Sequence, residues 1–191
     1  LVETGVVKTA ADLEHFLECQ VLPALLTFEI PHFVKAHAAA ISGDVPFLLA
    51  LDAELDAWRI PFELRDASRR IGSQRLDLLH QLDPSPLVTE IKNRSPRCHH
   101  LIVTALELSA LPVEQAARAF AFQTIASLTA ASMKLMRIGQ TAVQKIARNT
   151  LARLGEQIDA ALSQPADGWF NPLIEIASLR HARAHSRLFI S

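Results

Sequence analysis

Cysteine occurs only twice in this chain, at Cys19 and Cys98, far apart and in no C-x-x-C pair. That argues against a disulfide framework and fits a reducing, cytoplasmic compartment. Tyrosine is absent, glycine occurs six times, and few runs alternate apolar with polar β-branched residues, so strands are not favoured. Neither sign of charge is in excess: the formal net charge of −1 offers no electrostatic footprint for nucleic acid. No basic, apolar and small-residue succession marks a signal peptide at the start. The opening Leu1-Val2-Glu3-Thr4-Gly5 has no initiator Met, and a missing N-terminal piece is expected. There is no G-x-x-x-x-G-K-[ST] loop, no H-E-x-x-H and no G-x-S-x-G. Binding of a nucleoside triphosphate in the P-loop manner is therefore not expected, and the case for an enzyme weakens.

What is present is apolar and helical. Half of the 191 residues are apolar, with Ala and Leu dominant, enough for one domain with a sizeable core. We expect an all-α, single-domain bundle of roughly eight to ten helices. The chain is organised around the stretch from Arg118 to Lys145. Between Arg118 and Lys134 no side chain is charged. A surface helix shows a charged stripe opposite its apolar one, so this run predicts a central helix covered on most sides. Its Gln, Thr and Ser residues and its length argue against a membrane span. Gly139 then interrupts the pattern, and Gln140 and Thr141 beside it predict a buried break. The alternative role for that pair is only to satisfy freed backbone groups.

Elsewhere the helix signals are local. Thr9 and Asp12 can cap a first helix running to about Val21. A second, Ala24 to Ala40, contains Pro31, which should kink or split it. Ser42-Gly43-Asp44 is a turn, and Asp44 with Pro46 starts a third helix with Phe47, Leu48, Leu51, Leu55 and Trp58 at helical period. Pro61 opens a fourth toward Leu82, where Leu64, Ile71, Leu78, Leu79 and Leu82 can face inward and Arg65, Arg69, Arg70 and Arg75 outward. Loops at 83–86 and 93–96 flank a short helix. A helix from His99 to Leu108 precedes the central one, and another follows Gly139 to about Leu162. Asn171 and Pro172 start the last helix.

Two groups of metal-ligating residue types stand out. His181 and His185 lie at i and i+4, where neutral imidazoles can share zinc or nickel. Arg180, Arg183 and Arg187 surround them and no carboxylate lies within one turn, so a pair of surface histidines is the competing reading. In Cys98-His99-His100 the side chains point in different directions, and a polar first helical turn is the simpler account. The final residues differ in kind. Leu188, Phe189 and Ile190 cannot bury themselves in a lone tail; they dock back on the bundle or are buried by a partner.

Several of these stretches resemble one family. Pro172-Leu173-Ile174-Glu175-Ile176-Ala177-Ser178-Leu179-Arg180-His181, with Ser186-Arg187-Leu188-Phe189-Ile190-Ser191, resembles the ending of the urease accessory protein UreF family. Gly139-Gln140-Thr141 with Gln144, and Glu63-Leu64-Arg65-Asp66-Ala67-Ser68 leading into Gly72, are similar to blocks of the same family. Leu1 to Val7 resembles the segment just after its N-terminal Ser-His-Gly-Leu-Glu region. Two departures are visible. Lys134-Leu135-Met136-Arg137-Ile138-Gly139-Gln140 stands where the family usually has Arg-Leu-x-Pro-Leu-Gly-Gln, and the aromatic, His-bearing N-terminal segment is missing. The resemblance implies an all-α, non-catalytic chaperone of the cytoplasm. It would bind UreD (also called UreH), recruit the GTPase UreG and help load nickel into apo-urease, working as a homodimer. It would hold no metal or cofactor stably and would meet neither nucleic acid nor membrane. Carried over by position, Arg180, His181, Ser186, Arg187, Leu188 and Phe189 fall in the tail that meets UreD. Gly139 and Gln140 fall near the dimer and partner surfaces. Two other classes remain open. One is a helical metal-binding protein using His181 and His185. The other is a small helical enzyme with a spatially assembled site, which would need a polar pocket holding titratable groups.

Overall fold

The computed structural model describes residues 1–2, 5–166, 168 and 171–181, the last for its backbone only. Among these residues there is no strand, and the all-α expectation holds. Contacts group the chain into two compact units, Leu1–Pro31 with Ala117–Asn171, and His32–Ala116 with Pro172–Ser191.

In the first unit, α1 (Ala10–Phe16) opens on the expected capping box. The Thr9 hydroxyl accepts from the Asp12 N–H at 3.1 Å, and the Asp12 carboxylate accepts from the Thr9 N–H at 2.9 Å. The helical path does not stop near Val21. It continues through a π-helical turn (Leu17–Val21), α2 (Leu22–Ala24), a second π-helical turn (Leu25–Glu29) and into α3 (Ile30–Ser42). The expected kink or split at Pro31 is therefore replaced by widening. Each π turn lies just ahead of a proline, Pro23 or Pro31. There the proline ring would otherwise press on the carbonyl four residues back. The N–H groups of Leu22 and Ile30 reach five residues back, to the carbonyls of Leu17 and Leu25.

Helix α8 (Val113–Leu135) enters this unit at Ala117, and α9 (Gln140–Leu162) completes it. The buried positions of α9 are Val143, Ile146, Thr150, Leu154, Ile158 and Ala161, one face at three- and four-residue steps. That face packs on α1 and the second π turn. Arg153 pairs with Glu18 at 2.7 Å, and the Asn149 amide donates to Glu14 at 2.9 Å.

In the second unit, α4 (Val45–Trp58) follows the turn at Gly43, whose φ of 69° is the left-handed value that glycine tolerates best. Asp44 caps α4 by accepting from the Phe47 N–H at 3.0 Å. Leu48, Leu51 and Leu55 are buried as expected, but Phe47 and Trp58 are 44% and 46% exposed. They sit at the edges of the stripe, where the period turns them outward. Helix α6 (Pro86–Arg94) carries Ser85 as its cap. Helix α7 (His100–Glu107) buries six consecutive residues, Leu101 to Leu106, and an all-round buried helix is the centre of its unit. Helix α10 (Pro172–His181) packs on α5 (Phe62–Leu82).

Helix α5 reverses the expected orientation. Leu64, Ile71, Leu78 and Leu82 are 37%, 53%, 54% and 75% exposed. Its buried residues are Asp66, Ser68, Gly72 and Leu76. Small residues let the helix approach α7 closely. A Cβ on Gly72 would stand 2.0 Å from the Cys98 carbonyl oxygen and 2.8 Å from the His100 nitrogen. Arg65 and Arg69, expected outside, are half-buried and reach the Asp56 carboxylate at 3.8 and 2.7 Å.

Candidate partner-binding site

Helix α8 is not covered on most sides. Phe120, Ala121, Ile125, Thr129 and Ser132 form its buried face, while Phe122 is 57% exposed and Ala119, Gln123, Ser127 and Ala130 also lie open. The polar residues on or beside the covered face are satisfied by their own helix backbone. Thr124 donates to the Phe120 carbonyl at 3.1 Å, Thr129 to Ile125 at 2.9 Å and Ser132 to Thr129 at 2.7 Å. An uncharged run therefore marks a helix with one exposed face free of charge. Beside it, α8 and α9 enclose a groove of about 340 Å³, with Phe122, Ala130 and Met133 on one side and Val143, Ala147 and Leu151 on the other.

The break between α8 and α9 is also at the surface. Gly139, Gln140 and Thr141 are all exposed, contrary to the buried break expected. Gly139 has φ −72° and ψ 146°, extended values open to any residue, and no side chain caps α9 there. The turn closes through the backbone alone, with the Ile138 N–H donating to the Met136 carbonyl at 2.9 Å. Exposure, rather than strain or crowding, is what distinguishes Gly139 and Gln140.

At the other end of the chain, Arg180 is exposed on α10, and His181 is its last residue. Ser186, Arg187, Leu188 and Phe189 lie outside the described residues, as does His185, so the proposed His181–His185 metal pair lies there in part. Helix α10 leaves Ile176 and Leu179 50% and 61% exposed.

In the Cys98-His99-His100 run of the second unit, Cys98 and His99 are buried, His100 is half-buried, and all three side chains are engaged. His99 sits at the N-terminus of α7. Its N–H donates to Asp52 at 2.7 Å, its Nε2 lies 3.2 Å from Asp56, and its Nδ1 lies 2.9 Å from the Ser68 hydroxyl. Burial, with the charges of Arg59 and Arg69, holds the imidazole down to about 4, so the ring is neutral. Burial also raises the Asp56 carboxyl, but the Arg69 hydrogen bond and charge outweigh it, and the net direction is down. Ionised Asp56 thus accepts from Nε2–H, and Ser68 donates to Nδ1. Ser68 in turn lies 2.9 Å from the His100 Nδ1, which donates to it. Burial raises Asp52 against the opposing His99 bond. Burial also pushes the Cys98 thiol up to about 12, and the thiol donates to the Ser95 carbonyl at 3.2 Å.

This chain of carboxylate, imidazole and hydroxyl ties α4, α5 and α7 together. Ser68 is 6% exposed, with its hydroxyl held between two imidazoles. Among the described residues no group of three or more His, Cys, Asp or Glu side chains could hold a metal ion. Sequence reasoning missed this network, although Asp52 and Asp56 at i and i+4 within the apolar stripe of α4 were a usable signal. Among the described residues no helix is long and apolar enough to cross a membrane.

The molecule so described is an all-helical protein with uncharged helix surface left open. The model of the UreF family matches residues 7–151. The urease accessory protein UreF of Alkalilimnicola ehrlichii is 30% identical over 192 residues, covering all of this chain and 84% of that protein. The protein of the same name from Escherichia coli O157:H7 is 30% identical over 196 residues, covering all of this chain and 86% of its own length. That of Bacillus sp. strain TB-90 is 31% identical over 166 residues, covering 83% of this chain and 73% of its own. The chain belongs to the UreF family of urease accessory proteins.

Proposed function

We propose that this chain is a non-catalytic scaffold of urease maturation in the cytoplasm. In this reading it binds UreD through its C-terminal tail and a second copy of itself through the surface beside Gly139 and Gln140. The assembled surface then holds the GTPase UreG where nickel, as cargo, passes into apo-urease. The observation that carries the reading is the exposed, uncharged face of α8 around Phe122, set beside family membership. An apolar face that leaves water on association contributes about 25 cal/mol per Å² buried. A charge placed there should oppose association without touching the core.

The test is size-exclusion chromatography with light scattering on wild type and Phe122→Asp, with circular dichroism as the folding control. A dimer in wild type and a monomer in the variant support the reading; identical masses remove the α8 surface from it. In parallel, deletion of Arg187 to Ser191 should abolish co-purification with UreD at unchanged helicity. Retained binding would show that the tail is not the contact.

A further inference from the structure

Charge is unevenly spread along the chain. From Gln115 to Gly155 there are six basic side chains and no acidic one, although the whole chain has a formal net charge of −1. This stretch covers most of α8, the turn after it and most of α9. Two of the six are paired, Arg118 with Asp159 at 2.5 Å and Arg153 with Glu18 at 2.7 Å. Arg137, Lys145 and Arg148 are exposed, and none of the three has a hydrogen bond or ion pair among the described residues.

These cations stand beside the groove between α8 and α9. Arg148 lines it, and among the described residues no other charged side chain does. Lys145 lies one turn before Arg148 on α9, and Arg137 lies in the turn that joins the two helices. The lining is otherwise apolar except for Gln144 and Thr129, whose hydroxyl already donates to the Ile125 carbonyl at 2.9 Å. An apolar slot with cations along one rim suits a row of apolar side chains flanked by anions. Other occupants fit worse. A second copy meeting this groove about a two-fold axis would set Arg148 against cations of the same stretch. The chain's last ten residues carry Arg183 and Arg187 and no acidic side chain. A nucleic acid would use the cations but leave the apolar lining without a partner.

We infer that the α8–α9 groove docks an acidic amphipathic helix of a different protein. Its apolar face lies on Ala130, Met133 and Ala147, and its Glu or Asp residues lie beside Lys145 and Arg148. Binding weakens with salt, because the ion pairs form at an exposed rim. The inference does not rest on the contacts proposed for the tail or for Gly139 and Gln140, and neither Gly139 nor Gln140 lines the groove. Phe122 borders both the groove and the open α8 face, so the test leaves it unchanged.

The test uses three synthetic 18-residue peptides, read by fluorescence anisotropy against the full chain. One is a helix with Leu on one face and Glu beside it. The second has Lys in place of each Glu. The third has the composition of the first, shuffled so that no apolar face forms. At low salt the first is expected to bind at least ten-fold tighter than either of the others. Lys145→Glu with Arg148→Glu, at unchanged circular dichroism, should lose at least ten-fold of that affinity. If that variant does not fold, Lys145→Gln with Arg148→Gln should lose at least three-fold. Ala130→Gln, which fills the groove without altering its charge, should also lose at least three-fold. Equal binding of the acidic helix and either other peptide, or no binding of any, overturns the inference. So does retained affinity in the charge variant or the groove variant. A fall in the chain's own oligomeric mass in the charge variant overturns it too, in favour of a second copy as the occupant.

Discussion

The close backbone approach at Gly72 gives a sharp stability prediction. Gly72 faces the entry to α7, where an added Cβ would lie 2.0 Å from the Cys98 carbonyl oxygen and 2.8 Å from the His99 carbonyl carbon and the His100 nitrogen. These are backbone atoms and cannot rotate away. Gly72→Ala must part α5 from α7 by roughly 1 Å or more, and overpacking of that kind costs about 1–3 kcal/mol. Displacing α7 also strains the Asp52–His99 bond of 2.7 Å, and leaving one such buried group unsatisfied costs about 1–3 kcal/mol. Against this stands a helix-propensity gain of about 1 kcal/mol for Ala over Gly. The expected net loss is about 3 kcal/mol, a large share of a typical total of about 5–15. Gly155 is the matched control: it lies in α9, and a Cβ there meets nothing within 4 Å. Gly155→Ala should stabilise by about 0.5–1 kcal/mol. Urea unfolding followed by circular dichroism reads both. With a slope of about 1–3 kcal/mol per molar, the two midpoints should move in opposite directions, Gly72→Ala by a molar or more. If Gly72→Ala stays within about 0.5 kcal/mol of wild type, on the low side of any overpacking cost, the account of the α5–α7 contact is wrong.

The remaining predictions concern the buried network and one cap. His99 titrates at about 4 when folded and near 6.5 when unfolded, so the fold favours the neutral ring. Its contribution is complete above about pH 6.5 and is lost as the pH falls from there through 4, by about 3 kcal/mol. Asp56 acts in the same direction below its ordinary value, and Asp52, raised by burial, opposes it. Urea midpoints measured from pH 7 to 4 should fall less steeply in His99→Gln than in wild type; equal slopes would place the ring in water. Ser68→Ala orphans the His99 Nδ1 and should cost about 1–3 kcal/mol by the same unfolding measurement. Asp44→Ala removes the α4 cap and should cost about 1 kcal/mol.

Local signals were legible in the sequence wherever the physics was local. The Thr9–Asp12 box, the Asp44 cap and the Pro172 start depend on neighbours within a few residues, and they formed as read, whereas Pro86, read as loop, opens α6 behind its Ser85 cap. The side of a helix that its neighbour occupies was not legible. On α5 the 3.6-residue period revealed an apolar stripe, but Ser68 and Gly72 let α7 close on a different face, and Arg65 and Arg69 followed it inward to Asp56. On α8 the lack of charge was read as cover on most sides, whereas Phe122, Gln123, Ser127 and Ala130 lie open and only one face, with Thr129 and Ser132, is covered. The Asp56–His99–Ser68 chain joins residues 12 to 43 positions apart, and no spacing rule reaches that far.

The two π turns have an evolutionary corollary. Elsewhere in a helix, loss of one residue rotates everything beyond it by about 100° and misplaces the packed side chains. A π turn already holds one residue more than the α-helical path needs. Loss of a single residue within Leu17–Val21 or Leu25–Glu29 would convert that turn to ordinary α-helix while both flanking segments kept their phase. These turns are where length variation along this helical path can be absorbed.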